Sequence, residues 1–238
     1  MKNTVLHKAN TRGHADHGWL NAYHSFSFAG YYDPNRVQFG ALRVLNDDTV
    51  AAGMGFGTHP HDNMEIITIP LEGDLAHKDS MGNTEVIKNG DVQVMSAGTG
   101  IQHSEFNPNH DQRTKLLQIW VFPKERNVTP RYQQITLNPE DRKNKLQQIL
   151  SPDANDAGVW IHQDAWFSMG KFDAGTLTNY TLHKDGNGLY IFVINGDVTI
   201  DGNDLSTRDG LGITGFENIE INATTDAEFL LMEVPMGY

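Results

Sequence analysis

Short apolar runs, each closed by Gly, Asn or Asp, recur along almost the whole chain. Residues 39–46, 64–71, 91–95 and 115–122 are rich in Val, Ile, Leu and Phe, with the length and composition of β-strands. Reversals are expected at NDD (46–48), EGD (72–74), MGN (81–83) and NGD (89–91), because Gly, Asn and Asp tolerate turn backbone that branched residues resist. Between 123 and 159 the rhythm breaks. There PEDRKNKLQQIL is amphipathic and predicts a short helix, and SPDANDAG reads as a loop. Strand-like runs resume at 188–195, 197–200, 210–214 and 228–234.

The segment LYIFVINGDVTIDG repeats the plan of IITIPLEGDLAHKD: an apolar run, a Gly-Asp turn and a following strand. An internal duplication of one β module is the economical reading. Short strands at even spacing, without alternating helices, predict barrels or sandwiches rather than a parallel sheet. At 238 residues the chain is long enough for one large β domain or two smaller ones.

Charge and composition narrow the function. A net charge of −12 repels a phosphate backbone, and the basic residues at 143–145 are too few to offset it, so direct nucleic-acid binding is not expected. The chain has no cysteine, which excludes disulfides, zinc–thiolate sites and Cys nucleophiles. Any metal must then be held by His, carboxylate and water. No apolar stretch has the length of a signal peptide core or a membrane span. A cytoplasmic protein without membrane contact is expected.

Candidate chemistry sits in GTHPHDNME (57–65) and GTGIQHSEFN (98–107). His59 and His61 form one pair of possible ligands, His103 and Glu105 another. Residues i and i+2 of a strand share a face, so each pair projects together, and neighbouring strands would bring all four to one point. Pro60 points away and suits an edge strand. With 11 His in the chain, an H-x-H arises by chance in roughly every second such sequence. The weight therefore lies in the glycines and turns around the pairs. Spacing alone leaves Glu65 and Glu105 both eligible as the carboxylate ligand. Glu65 otherwise reads as a hydrogen-bonded strand residue or as a group orienting a ligand imidazole. His77, His110, His162 and His183 lack a partner at ligand spacing and read as structural or exposed. His14, His17 and His24 lie among Trp19, Phe26, Phe28 and Tyr31, as an aromatic segment covering another surface would.

Two motifs carry a family resemblance. Gly53-MGFGT-His59-P-His61-DNM-Glu65-IITIPLE-Gly73 resembles the first cupin motif, G-x5-H-x-H-x3,4-E-x6-G, with the last spacer one residue longer. Gly100-IQ-His103-SEF-Asn107 resembles the end of the second, G-x2-H-x3-N. Ser96-Ala97-Gly98 stands where Pro-x-Gly is usual, followed by two extra residues. RGHADHGWLNAYHSFSFAGYYDP, FGALRVLNDD, DSMGN, QIWVFP and TPRY add a specific similarity to the bacterial pirins, a two-cupin family. From about Val159 onward the similarity is one of rhythm only.

The resemblance implies an all-β bicupin of two β-barrel or sandwich domains. The expected units are an N-terminal metal-binding cupin (1–130), a connection with a short helix (131–158) and a degenerate C-terminal cupin (159–238). It implies a metal held by His59, His61, His103 and Glu105, whereas general cupins would use Glu65. Three imidazoles and a carboxylate suit one divalent transition metal per chain, Fe(II) first, with Mn, Ni, Co, Cu or Zn as options, over calcium or magnesium. The implied activity is a metal-dependent dioxygenase that cleaves a flavonol such as quercetin at its 2,3 bond with O2 and releases carbon monoxide. Its partners are then a small aromatic substrate and O2, and Glu105 is the catalytic base. The alternatives are a redox-sensing protein partner of transcription regulators, or another cupin enzyme such as an isomerase or hydrolase. Only the N-terminal module is expected to bind metal. With Gly196 aligned on Gly73, Leu182 and Lys184 stand where His59 and His61 do, Gly188 takes the place of Glu65, and His183 is alone.

Overall fold

The strand Glu65–Glu72 is buried at six successive positions, as a strand covered on both faces must be, and it lies inside a seven-stranded sheet. That sheet runs Arg131–Thr136, Asp91–Ser96, Glu65–Glu72, Thr114–Val121, Leu42–Val50, Leu20–His24, Gly13–Asp16. A four-stranded sheet, Gly55–His61, Ile101–Phe106, Leu75–Asp79, Thr84–Ile87, covers one of its faces. Leu20, Ala22, Val50 and Leu116 of the large sheet pack there against Leu75 and Ile87 of the small one. The computed structural model describes residues 1–237.

The second half repeats the plan. Asn187–Asn195 lies between Gly210–Thr214 and Ala227–Pro235 in a second seven-stranded sheet, as Glu65–Glu72 lies between Asp91–Ser96 and Thr114–Val121 in the first. A four-stranded sheet made of Leu177–Thr181, Asn218–Ala223, Val198–Ile200 and Asn203–Leu205 covers it. The aligned turn glycines share a left-handed backbone, φ 71° at Gly73 and 81° at Gly196, where a side chain would be strained. The chain is thus all-β, with two cupin-like sheet domains and, among the described residues, helix confined to two 3-10 turns, Ala9–Thr11 and Pro139–Arg142. Among the described residues no helix is long and apolar enough to cross a membrane.

The two large sheets meet through their remaining faces. Ile67, Val94, Leu117 and Ile119 of one half share a core with Phe167, Met169, Phe192 and Leu230 of the other. Each such side chain contributes about 1.5–3 kcal/mol on full burial, so the seam is a hydrophobic core in its own right. Edge strands are exchanged as well. Asn3–His7 pairs with Gly210–Thr214 of the second half, and Arg131–Thr136 with Asp91–Ser96 of the first.

Two local expectations fail. PEDRKNKLQQIL does not form an amphipathic helix: only Pro139–Arg142 is helical, and Leu146–Ser151 is a strand paired with Trp166–Phe172. Asn144 at φ 52° breaks the segment, and the successive burial of Ile149 and Leu150 between the sheets outweighs helix propensity. NDD at 46–48 is not a turn but the middle of Leu42–Val50. There Asn46, Asp47 and Asp48 pair with Gln118, Leu117 and Leu116. Asp47 is held on one face by Arg12 and Arg208, while Asn46 accepts from His24 on the other. Polar residues thus pass for a turn where their partners are distant in sequence.

Candidate metal centre

Gly55–His61 is the edge strand of the first small sheet, and Pro60 is exposed on it, as a residue without a ladder donor requires. It pairs with Ile101–Phe106 in the register His59↔His103 and Glu105↔Phe56. Three steps on the edge strand oppose two on its neighbour, which makes a β-bulge at Gly57 and Thr58. The extra residue turns both Phe56 and His59 inward.

The imidazoles of His59, His61 and His103 converge. His59 Nδ1 donates to the carbonyl of Gly57 at 2.8 Å, so its Nε2 bears the lone pair. That Nε2 stands 3.1 Å from His103 Nε2, and one nitrogen from each of the three rings lies within 4.8 Å of the others. Burial lowers the pKa of His61 to about 4. His103 is lowered by burial and by the imidazoles beside it. Neutral rings with free lone pairs are what metal ligation requires.

Glu105, on the same strand face as His103, is buried. Gln118 Nε2 donates to its Oε2 at 3.0 Å, and Thr68 Oγ1 makes a longer contact of 3.5 Å with its Oε1. Burial pushes its carboxyl up to about 7, against those hydrogen bonds. A carboxylate oxygen of Glu105 lies within 4.8 Å of nitrogens from His103 and His77. His103 therefore joins both groups: with His59 and His61 it makes a three-histidine cluster, and Glu105 and His77 stand against it on the other side. Convergent lone pairs beside a buried carboxyl fit a divalent transition ion and not the all-oxygen shell of calcium.

His77 does not behave as an isolated histidine. It is buried, lies opposite Glu105 in the ladder and contacts Asp79 Oδ2 through Nε2 at 3.1 Å. The signal was present in the sequence: H-K-D at 77–79 has the same i, i+2 spacing as the other two pairs. Glu65, by contrast, points away from the imidazoles. It alternates with Thr68, which contacts Glu105, and accepts from Ser96 Oγ at 2.7 Å near Arg131. The hydrogen-bonded strand reading holds for it; the imidazole-orienting one does not.

The N-terminal aromatic segment does more than cover a surface. A cavity of about 730 Å³ opens between the edge strand and Leu20–His24, lined by Trp19, Phe28, Tyr31, Phe56 and the imidazoles of His14, His17 and His24. Two ring contacts link its wall to the cluster: Phe28 packs edge-on against Trp120, and Trp120 against His61. Asp48 is buried in the same interior. Its carboxyl is pushed up to about 8 by burial, Asp47 and Glu105, and its Oδ1 has no hydrogen-bond partner.

In the second half His183 Nδ1 donates to Glu233 Oε2 at 2.9 Å, and its ring stacks on Trp166. Glu233 also accepts from Tyr180, Asn187 and the backbone of His183 and Lys184. That carboxylate is saturated. No metal-ligand group forms in this half among the described residues.

Two cupin-like units, one with a histidine-rich centre and one without, define a bicupin. A sequence model of the pirin family matches residues 5–121, and one of the quercetinase C-terminal cupin domain matches residues 148–234. The chain is 48% identical over 239 residues to the quercetin 2,3-dioxygenase of Escherichia coli K12, covering 97% of this chain and 98% of that protein. It is 44% identical to a pirin-like protein of Caulobacter vibrioides, with 93% and 95% covered. The crystal structure of the E. coli bacterial pirin YhhW in complex with nickel(II) superposes with a TM-score of 0.93 at 47% identity, over 98% of this chain and 99% of that one. The chain belongs to the pirin family of the cupin superfamily.

Proposed function

We propose that this chain is a metal-dependent dioxygenase that opens a flavonol such as quercetin with O2. His59, His61, His103 and Glu105 hold one divalent ion per chain, and Glu105 doubles as the base. The carrying observation is the convergence of the His59, His61 and His103 imidazoles, with the buried Glu105 carboxyl beside His103 and an aromatic-walled cavity linked to His61 through Trp120. The 48% identity to a quercetin 2,3-dioxygenase supports the choice of substrate. When bound, the ion supplies Lewis acidity and, for Fe(II), the ion placed first, a redox partner for dioxygen; Mn, Ni, Co, Cu and Zn suit the same donors.

The rest falls to the protein. Trp19, Phe28, Tyr31 and Phe56 offer faces and edges to a planar substrate and exclude water from it. Glu105, buried beside His103, is the carboxylate placed to accept the proton of an acidic enolic hydroxyl. Gln118 and Thr68 orient it. Residues 1–130 are the metal-binding unit and 159–238 a unit without metal, joined through 131–158. The test is oxygen-dependent loss of quercetin absorbance in protein loaded with ferrous iron, manganese or nickel. Turnover by the loaded wild type but not by His61→Ala is expected; equal turnover in both would move the chemistry elsewhere.

A further inference from the structure

A third pair of interior polar side chains backs the cluster. His77 and Asp79 lie on Leu75–Asp79, opposite Glu105 and His103 respectively, with side chains 1% and 0% exposed. Asp79 accepts from the backbone of Met81 at 2.9 Å and of Asn83 at 3.1 Å, and from Asn83 Nδ2 at 2.8 Å. So many donors hold it ionised. A carboxylate only accepts, so His77 Nε2 carries the hydrogen at the 3.1 Å contact. The other nitrogen, Nδ1, is then a bare acceptor; it is buried and has no partner.

His103 shows the complementary defect. Its Nε2 faces His59 Nε2, so in the ligand tautomer its hydrogen stands on Nδ1. That Nδ1 is also buried and also has no partner. The two rings are 5.3 Å apart, and one nitrogen from each lies within 4.8 Å of the other and of Glu105. Rings this close leave room for a ring rotation or one bridging water to join the two unpartnered nitrogens. One unmatched donor and one unmatched acceptor in the same interior are each costly alone and satisfied together.

We propose that His77, fixed in its tautomer by Asp79, accepts the Nδ1–H of His103, directly or across one water. His77 is thereby a positioning residue for a metal ligand and not a ligand itself. Asp79, His77 and His103 form a line of hydrogen bonds running from the turn at 80–83 to the cluster. The inference rests on the reading of His103 as a ligand. It assigns work to a side chain whose cross-strand position, and not its sequence neighbours, brings it to the site.

The experiment uses the full chain and three variants. Nickel(II) affinity is measured by chelator competition, and the tautomer of His103 by nitrogen-15 NMR of the metal-free protein. His77→Phe removes the acceptor. Asp79→Asn presents a donor to His77 Nε2 and so moves the hydrogen of His77 to Nδ1. Both variants should weaken nickel binding about 10- to 100-fold. His77→Gln, which keeps one donor and one acceptor, should stay within about threefold of wild type. In the metal-free wild type the His103 proton should sit on Nδ1, and this preference should be lost in Asp79→Asn. Unchanged affinity in a folded Asp79→Asn protein would overturn the proposal, even if His77→Phe fails to fold. Loss of binding in His77→Gln as complete as in His77→Phe would make His77 a ligand and overturn it too. A wild type that binds no nickel would sink the metal reading, and the NMR result would still decide this one.

Discussion

Gln118 reaches across the interior of the N-terminal unit and donates its Nε2 hydrogen to Glu105 Oε2 at 3.0 Å. Both side chains are buried, and the second contact to Glu105, from Thr68, is long at 3.5 Å. Gln118→Leu should therefore release the carboxylate and raise its pKa further, because a hydrogen bond to the charged form is lost. Turnover should fall roughly 10- to 100-fold, the usual size of an orienting contact, while the β fold persists. Steady-state kinetics and thermal melting separate the two effects, and undiminished turnover would show that Gln118 orients nothing.

Metal titration should saturate at one ion per chain. His59→Ala and His103→Ala should each lower the affinity by about 100-fold or more, since transition-metal sites need three or four protein ligands. His183→Ala should leave it unchanged, because His183 Nδ1 is committed to Glu233. Two tight sites, or loss of binding in the His183 variant, would assign chemistry to the second half.

The pH dependence of the metal-free protein follows from its buried groups. Asp48 is raised to about 8, and Glu65 and Glu105 to about 7. Folded carboxyls with raised pKa favour the folded state below the unfolded carboxylate range and lose that contribution as pH rises through the folded values. His7 and His61, lowered to about 4, act in the opposite sense, gaining stability from about pH 4 to 6.5. The two sets offset each other below about pH 6.5, and the carboxyl loss stands alone above it. Urea unfolding should show falling stability from about pH 6.5 to 8, and Asp48→Asn should flatten that slope. An equal slope in the variant would mean that Asp48 does not titrate there.

Gly98 holds the loop before the strand of His103 and Glu105. Its φ is 47°, and an added Cβ would lie 2.0 Å from the carbonyl oxygen of Val128. Gly98→Ala should cost about 2–4 kcal/mol through backbone strain and that clash, lowering the melting temperature by roughly 5–15 °C. A shift within a degree would show that the loop yields freely.

Most strands were legible in the sequence. Glu65–Glu72, Asp91–Ser96, Asn187–Asn195 and Gly210–Thr214 fall on the expected runs within about two residues, since apolar composition and turn glycines are local signals. The i, i+2 logic also brought His59, His61 and His103 together. The misses share one cause. Leu146–Ser151, the polar centre of Leu42–Val50 and the place of His77 all depend on partners across a sheet, which local pattern does not record. The opposed directions of Glu65 and Glu105 were open on spacing alone, because each is framed by a motif; strand parity relative to Thr68 separates them.

Carbon monoxide release is the direct readout of flavonol ring opening at this centre. Protein loaded with one ion per chain is supplied with quercetin and O2, and consumed oxygen and evolved carbon monoxide are measured together. One molecule of each per quercetin consumed is expected, with neither in His61→Ala. Fully loaded wild-type protein that consumes no oxygen, or that loses quercetin without releasing carbon monoxide, would contradict the dioxygenase reading.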